Sequence, residues 1–166
     1  MHGQSEQKFG ERLWYGGNLN LGFSGNTGTN TFALGIAPMV GYKIGGPFSL
    51  GPRVSLQYIH FRARLVNNQV STANPITWGA GVFGRAKISR NIFAHAEYEL
   101  AEEAFVRVAF NDIEVFRRQN GNTYIGAGYN SGNIWGYEIM ALYNLTPPAD
   151  DLRVPFSIRF GFTYRF

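Results

Sequence analysis

Strict alternation of apolar and polar side chains is the feature that most constrains the fold of this 166-residue chain. In the final segment, 155–166, the even positions from Phe156 to Phe166 are aromatic or aliphatic, whereas the odd positions from Ser157 to Arg165 are small, polar or charged. A period of two is that of a β-strand, whose successive side chains point to opposite faces. Segments with this pattern occur at 12–24, 31–43, 48–61, 76–88, 92–101, 121–130, 134–145 and 155–166. The sequence therefore predicts an all-β protein with eight strands.

The charges within the cores of these segments all fall on the polar face. They are Lys43, Arg53, Arg85, Lys87, Glu97, Glu99, Glu138, Arg159 and Arg165. The opposite face is rich in rings, and aromatic residues make up 16% of the chain. An eight-stranded barrel has an interior just wide enough for side chains, which suits glycine better than many rings. We therefore expect an apolar exterior in contact with lipid, formed by side chains such as Leu19, Leu34, Val54, Val82, Ile139 and Phe160.

The connections between the predicted strands alternate in length. Links 44–47, 89–91 and 131–133 are short and contain the residues that tight hairpins require, whereas 62–75 and 102–120 are long. Short turns at one end and longer loops at the other are typical of an antiparallel up-and-down transmembrane barrel of an outer membrane. An even strand number returns both termini to the short-turn, periplasmic side. The expected division is a periplasmic tail at 1–11 and a barrel at 12–166. A soluble ligand-binding barrel is the alternative. It requires the opposite arrangement, with the charged side chains outside and the aromatic side chains packed inside.

Composition excludes several other classes of protein. No stretch approaches 18 consecutive apolar residues, so no transmembrane helix is expected. The net charge of +4 arises without a basic run, so a nucleic-acid partner is not expected. The absence of cysteine excludes a disulfide scaffold, a thiolate zinc site and cysteine catalysis.

The chain resembles the small eight-stranded outer-membrane barrels of Gram-negative bacteria, the OmpA/OmpX-like group, and looks most like those common in the Bacteroidota. The residues that carry the resemblance lie in segments 156–166, 91–99 and 124–129. It implies an outer-membrane location and contact with the outer-membrane insertion machinery during assembly. The last strand resembles the assembly signal of such proteins, through Phe160, Phe162, Tyr164 and Phe166. We expect Phe166 to lie at the membrane interface, where it affects insertion more than final stability.

The inward charges form the first candidate site, a network within the lumen. Its members are Arg53, Arg85, His95, Glu97, Glu99, Glu138 and Arg159. Because charges removed from water must be paired, we expect one connected network with Arg85 and Glu97 as neighbours across their hairpin. We expect the network to plug the lumen, and the alternative is that it acts as the selectivity ring of a narrow pore.

Catalytic and metal chemistry have little support in the sequence. Outer-membrane lipid-modifying barrels place His and Ser close together near the outer leaflet, and His60 lies near the long-loop end without a serine beside it. His95 and Glu97 share a face, but the neighbouring Arg85 and Lys87 repel a cation. We therefore predict a protein that is not an enzyme, with no metal and no cofactor.

The long link 102–120 is the second candidate site, because it is too apolar for a solvated loop. Its apolar residues are Phe105, Val106, Val108, Phe110, Ile113 and Phe116, with Val115 beside them. Their alternation predicts that strands five and six continue beyond the membrane as a hairpin, which either pairs with a partner or folds over the barrel mouth as a lid. The function expected from these features is that of a non-enzymatic scaffold or a subunit of a larger outer-membrane assembly. A narrow passive pore and a lipid-modifying enzyme are the alternatives.

Overall fold

The chain forms one closed antiparallel β-barrel, as a computed structural model shows. The structure describes residues 8–108, 112–146 and 156–166. A short 3-10 helix at Phe9–Glu11 precedes the strands. The strands are β1 (Leu13–Asn26), β2 (Thr29–Gly45), β3 (Phe48–Arg64), β4 (Val70–Ala73), β5 (Ile76–Lys87), β6 (Ile92–Val108), β7 (Ile113–Asn130), β8 (Trp135–Asn144) and β9 (Phe156–Tyr164). No helix long and apolar enough to cross a membrane occurs in these ranges.

Eight of the strands make the barrel wall. Their order around the ring is β2, β1, β9, β8, β7, β6, β5 and β3, and pairing of β2 with β3 closes it. The prediction of an eight-stranded antiparallel up-and-down barrel is therefore confirmed. The short turns β2–β3, β5–β6 and β7–β8 share one end with the start of β1 and the end of β9, and we call this the short-turn end. The other end is the long-loop end.

One strand outside the barrel wall, β4, was not predicted. Its residues lie in the segment 62–75, which was expected to be a loop. β4 pairs only with the last four residues of β3, from Phe61↔Ala73 to Arg64↔Val70. The backbone amide of Leu65 donates to the carbonyl of Gln69, and this contact closes the intervening turn. The pair therefore extends the wall at the long-loop end without entering the ring.

The first and last strands meet along a short seam. Among the described residues, five pairs join β1 to β9, from Tyr15↔Tyr164 to Leu19↔Phe160, whereas every residue of β1 pairs with β2. The expected final strand, 155–166, ends earlier, at Tyr164. Arg165 has φ of +62°, which breaks the extended backbone and reverses the facing of the residue after it.

Candidate functional site

The barrel wall separates an apolar exterior from a charged interior. Phe160 is 57% exposed on the outside, whereas the adjacent Arg159 is 4% exposed in the lumen. The side chains expected to face lipid are all exposed, namely Leu19, Leu34, Val54, Val82, Ile139 and Phe160. The side chains expected in the lumen network are all buried, namely Arg53, Arg85, His95, Glu97, Glu99, Glu138 and Arg159. Strand alternation positions each of them, because neighbouring side chains point to opposite sides of the wall.

Glu138 is the centre of the lower part of the network, nearer the short-turn end. Arg85 donates to both of its carboxylate oxygens, Nη1 to Oε2 at 2.8 Å and Nη2 to Oε1 at 2.9 Å. The Nδ2 of Asn18 donates to Oε1 at 3.0 Å, and the Nδ2 of Asn130 lies 3.5 Å from Oε2. A two-pronged guanidinium contact is the strongest geometry for such a pair. Four strands, β1, β5, β7 and β8, are thereby joined across the lumen.

Gly161 provides the space for this contact between β1 and β8. It lies between Asn18 and Glu138 in the sheet, opposite both. A Cβ at this position would lie 2.4 Å from the Nδ2 of Asn18 and 2.7 Å from the carbonyl oxygen of Gly17. Any larger residue would therefore force the Asn18 amide away from the carboxylate.

Glu97 and Glu99 form the upper part of the network with two arginines. Arg159 Nη1 donates to Glu97 Oε1 at 2.7 Å. Arg53 Nη1 lies 3.4 Å from the same oxygen and donates to Glu99 Oε2 at 2.5 Å. The hydroxyl of Ser55 donates to the other oxygen of Glu99. Two carboxylates and two guanidiniums thus balance each other's charge in the middle of the barrel.

His95 connects the two parts. Its Nδ1 accepts a hydrogen bond from the Nε of Arg85 at 3.0 Å, and its Nε2 lies 2.8 Å from Glu97 Oε2. Because the Arg85 Nε–H is a donor only, Nδ1 carries no proton, and the proton on Nε2 is donated to Glu97. The ring is therefore a neutral bridge with both nitrogens occupied. Within the described ranges, no group of three or more His, Cys, Asp or Glu side chains is placed to hold a metal.

The structure brings all seven predicted side chains into one connected network, but the expected neighbour of Arg85 is wrong. Arg85 pairs with Glu138 across the lumen and contacts Glu97 only through His95. The hairpin register explains this, since Arg85 is opposite His95 on β6 and Glu97 is opposite Phe83. The partner of Arg85 comes from a distant strand that barrel closure brings near.

An apolar layer below the network was missed by the sequence analysis. Arg85 is surrounded by aromatic rings, with its guanidinium carbon 4.4 Å from the ring centroid of Phe93, 4.9 Å from Trp14 and 5.1 Å from Phe166. The buried members of the layer are Trp14, Met39, Phe83, Phe93, Met140 and Leu142. Alternation already assigns most of these residues to the inward face. Bulky apolar residues at inward positions near the short turns were therefore the sequence signal from which this layer could have been predicted.

Trp14 fits into this layer because the neighbouring strand has a glycine beside its indole ring. Gly41 is opposite Trp14 on β2, and a Cβ there would lie 2.1 Å from an atom of the indole ring. The ring itself packs against Phe83 at 5.6 Å and against Phe166 at 4.7 Å. The layer therefore closes the lumen at the short-turn end.

Phe166 lies inside the barrel, which contradicts its expected place at the membrane interface. Phe160 and Phe162 are exposed on the outer face, and Tyr164 packs on Trp135 with ring centroids 4.6 Å apart. The positive φ of Arg165 then turns the chain inward, so that Phe166 enters the apolar layer. The role of these four residues as an assembly signal stays a prediction.

The other end of the lumen is an open polar vestibule with a volume of about 540 Å³. Arg53 and Arg159 lie at its base, where they belong to the upper part of the network. Asn20, Asn122 and Asn144 are among the side chains that line it. The lumen is thus filled from the short-turn end to its middle and accessible from the long-loop end.

The β6–β7 hairpin extends past the barrel wall. β5 pairs with β6 only as far as Ala101, and β8 pairs with β7 only as far as Tyr124, yet the hairpin ladder continues to Val108↔Ile113. The seven residue pairs beyond Ala101 correspond to about 23 Å. All side chains from 114 to 119 are exposed, whereas residues 102–104 of the paired strand are half-buried. The Nη1 of Arg117 donates to the carboxylate of Glu102 and to the backbone carbonyl of Ile76 on β5.

The predicted apolar residues of the hairpin are distributed unevenly on this arm. Val108 and Phe116 are exposed, and Ile113 is half-buried. Phe105 pairs through its backbone with Phe116, as Val106 does with Val115. Phe110 lies outside the described residues. The expected extension of strands five and six is present, while the partner remains a prediction.

His60, the candidate base of a lipid-modifying enzyme, hydrogen bonds to an amide. Its Nδ1 lies 2.6 Å from the Oδ1 of Asn74. A base that activates a nucleophile must contact a hydroxyl or a thiol. In the described part of the chain, the hydrogen-bond partner of His60 is therefore an amide on the long-loop side.

Comparisons with known proteins concern the fold. No family model matches the sequence, and neither does any curated protein. The N-terminal β-barrel domain of Pseudomonas aeruginosa OprF has 10% identity and a TM-score of 0.44, over 92% of this chain and 96% of that one. The Yersinia pestis outer membrane protein Ail has 11% identity and a TM-score of 0.46, over 93% and 99%. The β domain of the Bordetella autotransporter BrkA has 13% identity and a TM-score of 0.34, over 93% and 98%.

Proposed function

We propose that this chain is an integral outer-membrane barrel with a closed lumen, which acts as a scaffold or as a subunit of a larger outer-membrane assembly. Every strand of the barrel wall presents large apolar side chains that are exposed outside. A surface of this kind around a whole barrel is far larger than the apolar patches that soluble monomers expose. A lipid bilayer is the environment in which an apolar outer surface of this kind is stable. The short-turn end, where β1 begins and β9 ends, is then the periplasmic end.

The filled lumen is the observation that carries the closed-barrel part of the proposal. Ion pairs that span the lumen lie directly above the apolar layer that contains Trp14 and Phe166. An eight-stranded barrel leaves no room for water to pass beside such side chains. The protein therefore supports no ion flow, and a role other than transport follows.

Conductance in a planar bilayer tests this proposal directly. We expect the folded wild-type protein to give no current steps above the bare bilayer. Replacing Arg85 and Phe166 together with alanine removes the side chains that fill the inner lumen, and should produce brief openings. The matched control replaces Arg90 in a turn and Phe162 on the outer face with alanine and should stay silent. Regular steps from the wild-type protein would establish the narrow pore instead.

The protruding arm of the β6–β7 hairpin supports the subunit role. Its outer edges carry backbone N–H and C=O groups beyond the last residues that pair with β5 and β8. Such edges pair readily with a strand of another chain. Exposed apolar side chains such as Phe116 add a surface that a partner can cover.

Purification from host membranes in mild detergent tests the subunit role. We expect defined partner proteins to co-purify in fixed ratio with the wild type and with Arg118→Ser. Phe116→Asp should reduce their recovery at least tenfold, because a charge cannot enter a dry interface without a large desolvation cost. If the wild type purifies alone, the chain is not a subunit, and only the scaffold role is retained.

A further inference from the structure

The polar vestibule at the long-loop end contains side chains whose hydrogen-bonding groups are unused. Asn20, Gln57, Thr77, Tyr124 and Ser157 line it, and none of their side chains forms a hydrogen bond with another described residue. The volume of about 540 Å³ lies within the range of about 300–1,000 Å³ that is usual for ligand pockets. The vestibule is therefore large enough for a small molecule and offers it both donors and acceptors.

The two arginines at the base of the vestibule are incompletely paired. Arg53 and Arg159 are 3% and 4% exposed, and each contacts carboxylates through Nη1 alone. Their Nε atoms are buried without a partner in the described part of the chain. Arg85, deeper in the lumen, donates through all three of its nitrogens. The base of the vestibule therefore keeps unused N–H donors, which is uncommon for buried polar groups.

Charges of both signs surround the vestibule. Glu99 lies at its base with Arg53 and Arg159, and Glu103 lies four residues farther along β6, where the Nδ2 of Asn120 donates to its Oε2 at 2.8 Å. An anion in this space would be repelled by the two carboxylates, and a cation by the two guanidiniums. A neutral molecule rich in hydroxyl groups can instead donate to the carboxylates and accept from the N–H groups.

We propose that the vestibule binds one neutral mono- or disaccharide, whose hydroxyl groups pair with the side chains that are otherwise unpaired there. Each sugar hydroxyl both donates and accepts, so one ring can satisfy amide, hydroxyl and guanidinium groups together. The guanidinium carbon of Arg159 lies 5.0 Å from the ring centroid of Tyr124, and this contact fixes the ring that carries the phenolic hydroxyl. The inference goes beyond the proposed function, because a vestibule filled below can bind a ligand whether or not the chain has protein partners.

Titration of the full chain, followed by amide NMR spectra, tests the site. The detergent is dodecylphosphocholine, because detergents with sugar headgroups would compete. Glucose, galactose and N-acetylglucosamine are the neutral probes, while glucosamine in its ammonium form and glucuronate place a charge on the same kind of ring. We expect at least one neutral probe to shift the side-chain amide signals of Asn20 and Gln57 saturably, with an affinity at least tenfold above that of either charged probe.

Two variants locate the bound sugar. Ala33→Trp places a large ring in the vestibule and should lower the affinity at least tenfold, whereas Leu34→Trp adds the same ring on the outer face and should change nothing. Tyr124→Phe removes one hydroxyl and keeps the ring beside Arg159, so the affinity should fall about three- to tenfold, the usual effect of one lost hydrogen bond. Tyr129→Phe, on the outer face of the same strand, is its matched control.

Three results would overturn the proposal. If no neutral probe binds saturably, water alone occupies the vestibule. If glucosamine or glucuronate binds as tightly as the neutral probes, charge decides the ligand and the site is not one for neutral sugars. If folded Ala33→Trp and Tyr124→Phe both bind like the wild type, the sugar lies elsewhere on the protein.

Discussion

Replacing Glu138 with leucine is expected to lower the free energy of unfolding by about 3–5 kcal/mol, the usual cost of breaking a buried ion pair. The change leaves the Arg85 guanidinium in the lumen without its carboxylate, and removes an acceptor from Asn18 and Asn130. The measurement is denaturant unfolding in detergent, followed by tryptophan fluorescence and by the heat-dependent shift in electrophoretic mobility.

A double substitution separates the cost of the lost pair from that of a lost side chain. Arg85→Met with Glu138→Leu replaces both charges by apolar groups of similar size, next to the apolar layer that contains Met39 and Met140. We expect the double variant to recover a large part of the stability that Glu138→Leu loses. If the double variant loses as much stability as the two single substitutions combined, the interaction between Arg85 and Glu138 does not stabilise the fold. The lumen charges are then separately hydrated.

An ion pair on the exterior serves as the control. Arg117 and Glu102 lie 2.5 Å apart, but the side chain of Arg117 is about half exposed. Glu102→Leu should therefore cost less than about 1 kcal/mol. A loss equal to that of Glu138→Leu would mean that burial does not set the strength of these pairs.

Phe166→Ala is expected to lower the free energy of unfolding by about 2–4 kcal/mol, somewhat less than the ~3–5 kcal/mol for a fully buried phenylalanine, because its ring is partly buried. The phenyl ring contacts Trp14 at 4.7 Å and Phe93 at 5.4 Å, and it lies over Arg85 and Lys87. Its loss opens a cavity in the apolar layer that neighbouring rings cannot fill. Stability of the purified protein in detergent is the quantity to measure, independently of its yield in cells.

Phe162→Ala is the matched control from the same strand. Phe162 points outward and is 65% exposed, so hydrocarbon replaces the contacts that its ring loses. We expect a cost below about 1 kcal/mol. Equal costs for the two variants would mean that Phe166 is not enclosed in solution. Its effect would then be greater on insertion than on final stability, as the sequence predicts.

The strands and their facing are predictable from the sequence because they depend on local alternation alone. Arg53, Glu97 and Arg159 could be assigned to the lumen from their neighbours in the chain, without knowledge of any partner strand. The extension of β6 and β7 was likewise visible as alternation that continued past the expected membrane boundary. The strands, their facing and this extension can all be predicted from the two-residue period of apolar and polar side chains alone.

Contacts across the lumen could not be predicted in the same way. The pairing of Arg85 with Glu138 depends on how eight tilted strands are staggered when the ring closes, and alternation within one strand carries no information about stagger. Phe166 was misplaced for a different reason. A single positive φ at Arg165 reverses the face, and an arginine gives no sequence signal for that conformation.

The seam between β1 and β9 is expected to be the last part of the barrel to form. Five pairs join strands at opposite ends of the sequence, whereas β6 and β7 pair with a separation of few residues. Bringing distant segments together costs more chain entropy than closing a hairpin, and long-range pairing slows folding. We therefore expect the hairpins to form early and the joining of β1 to β9 to be the slow, final step. Until that step is complete, Trp14 and Phe166 cannot meet, so the lumen becomes fully packed only as the ring closes.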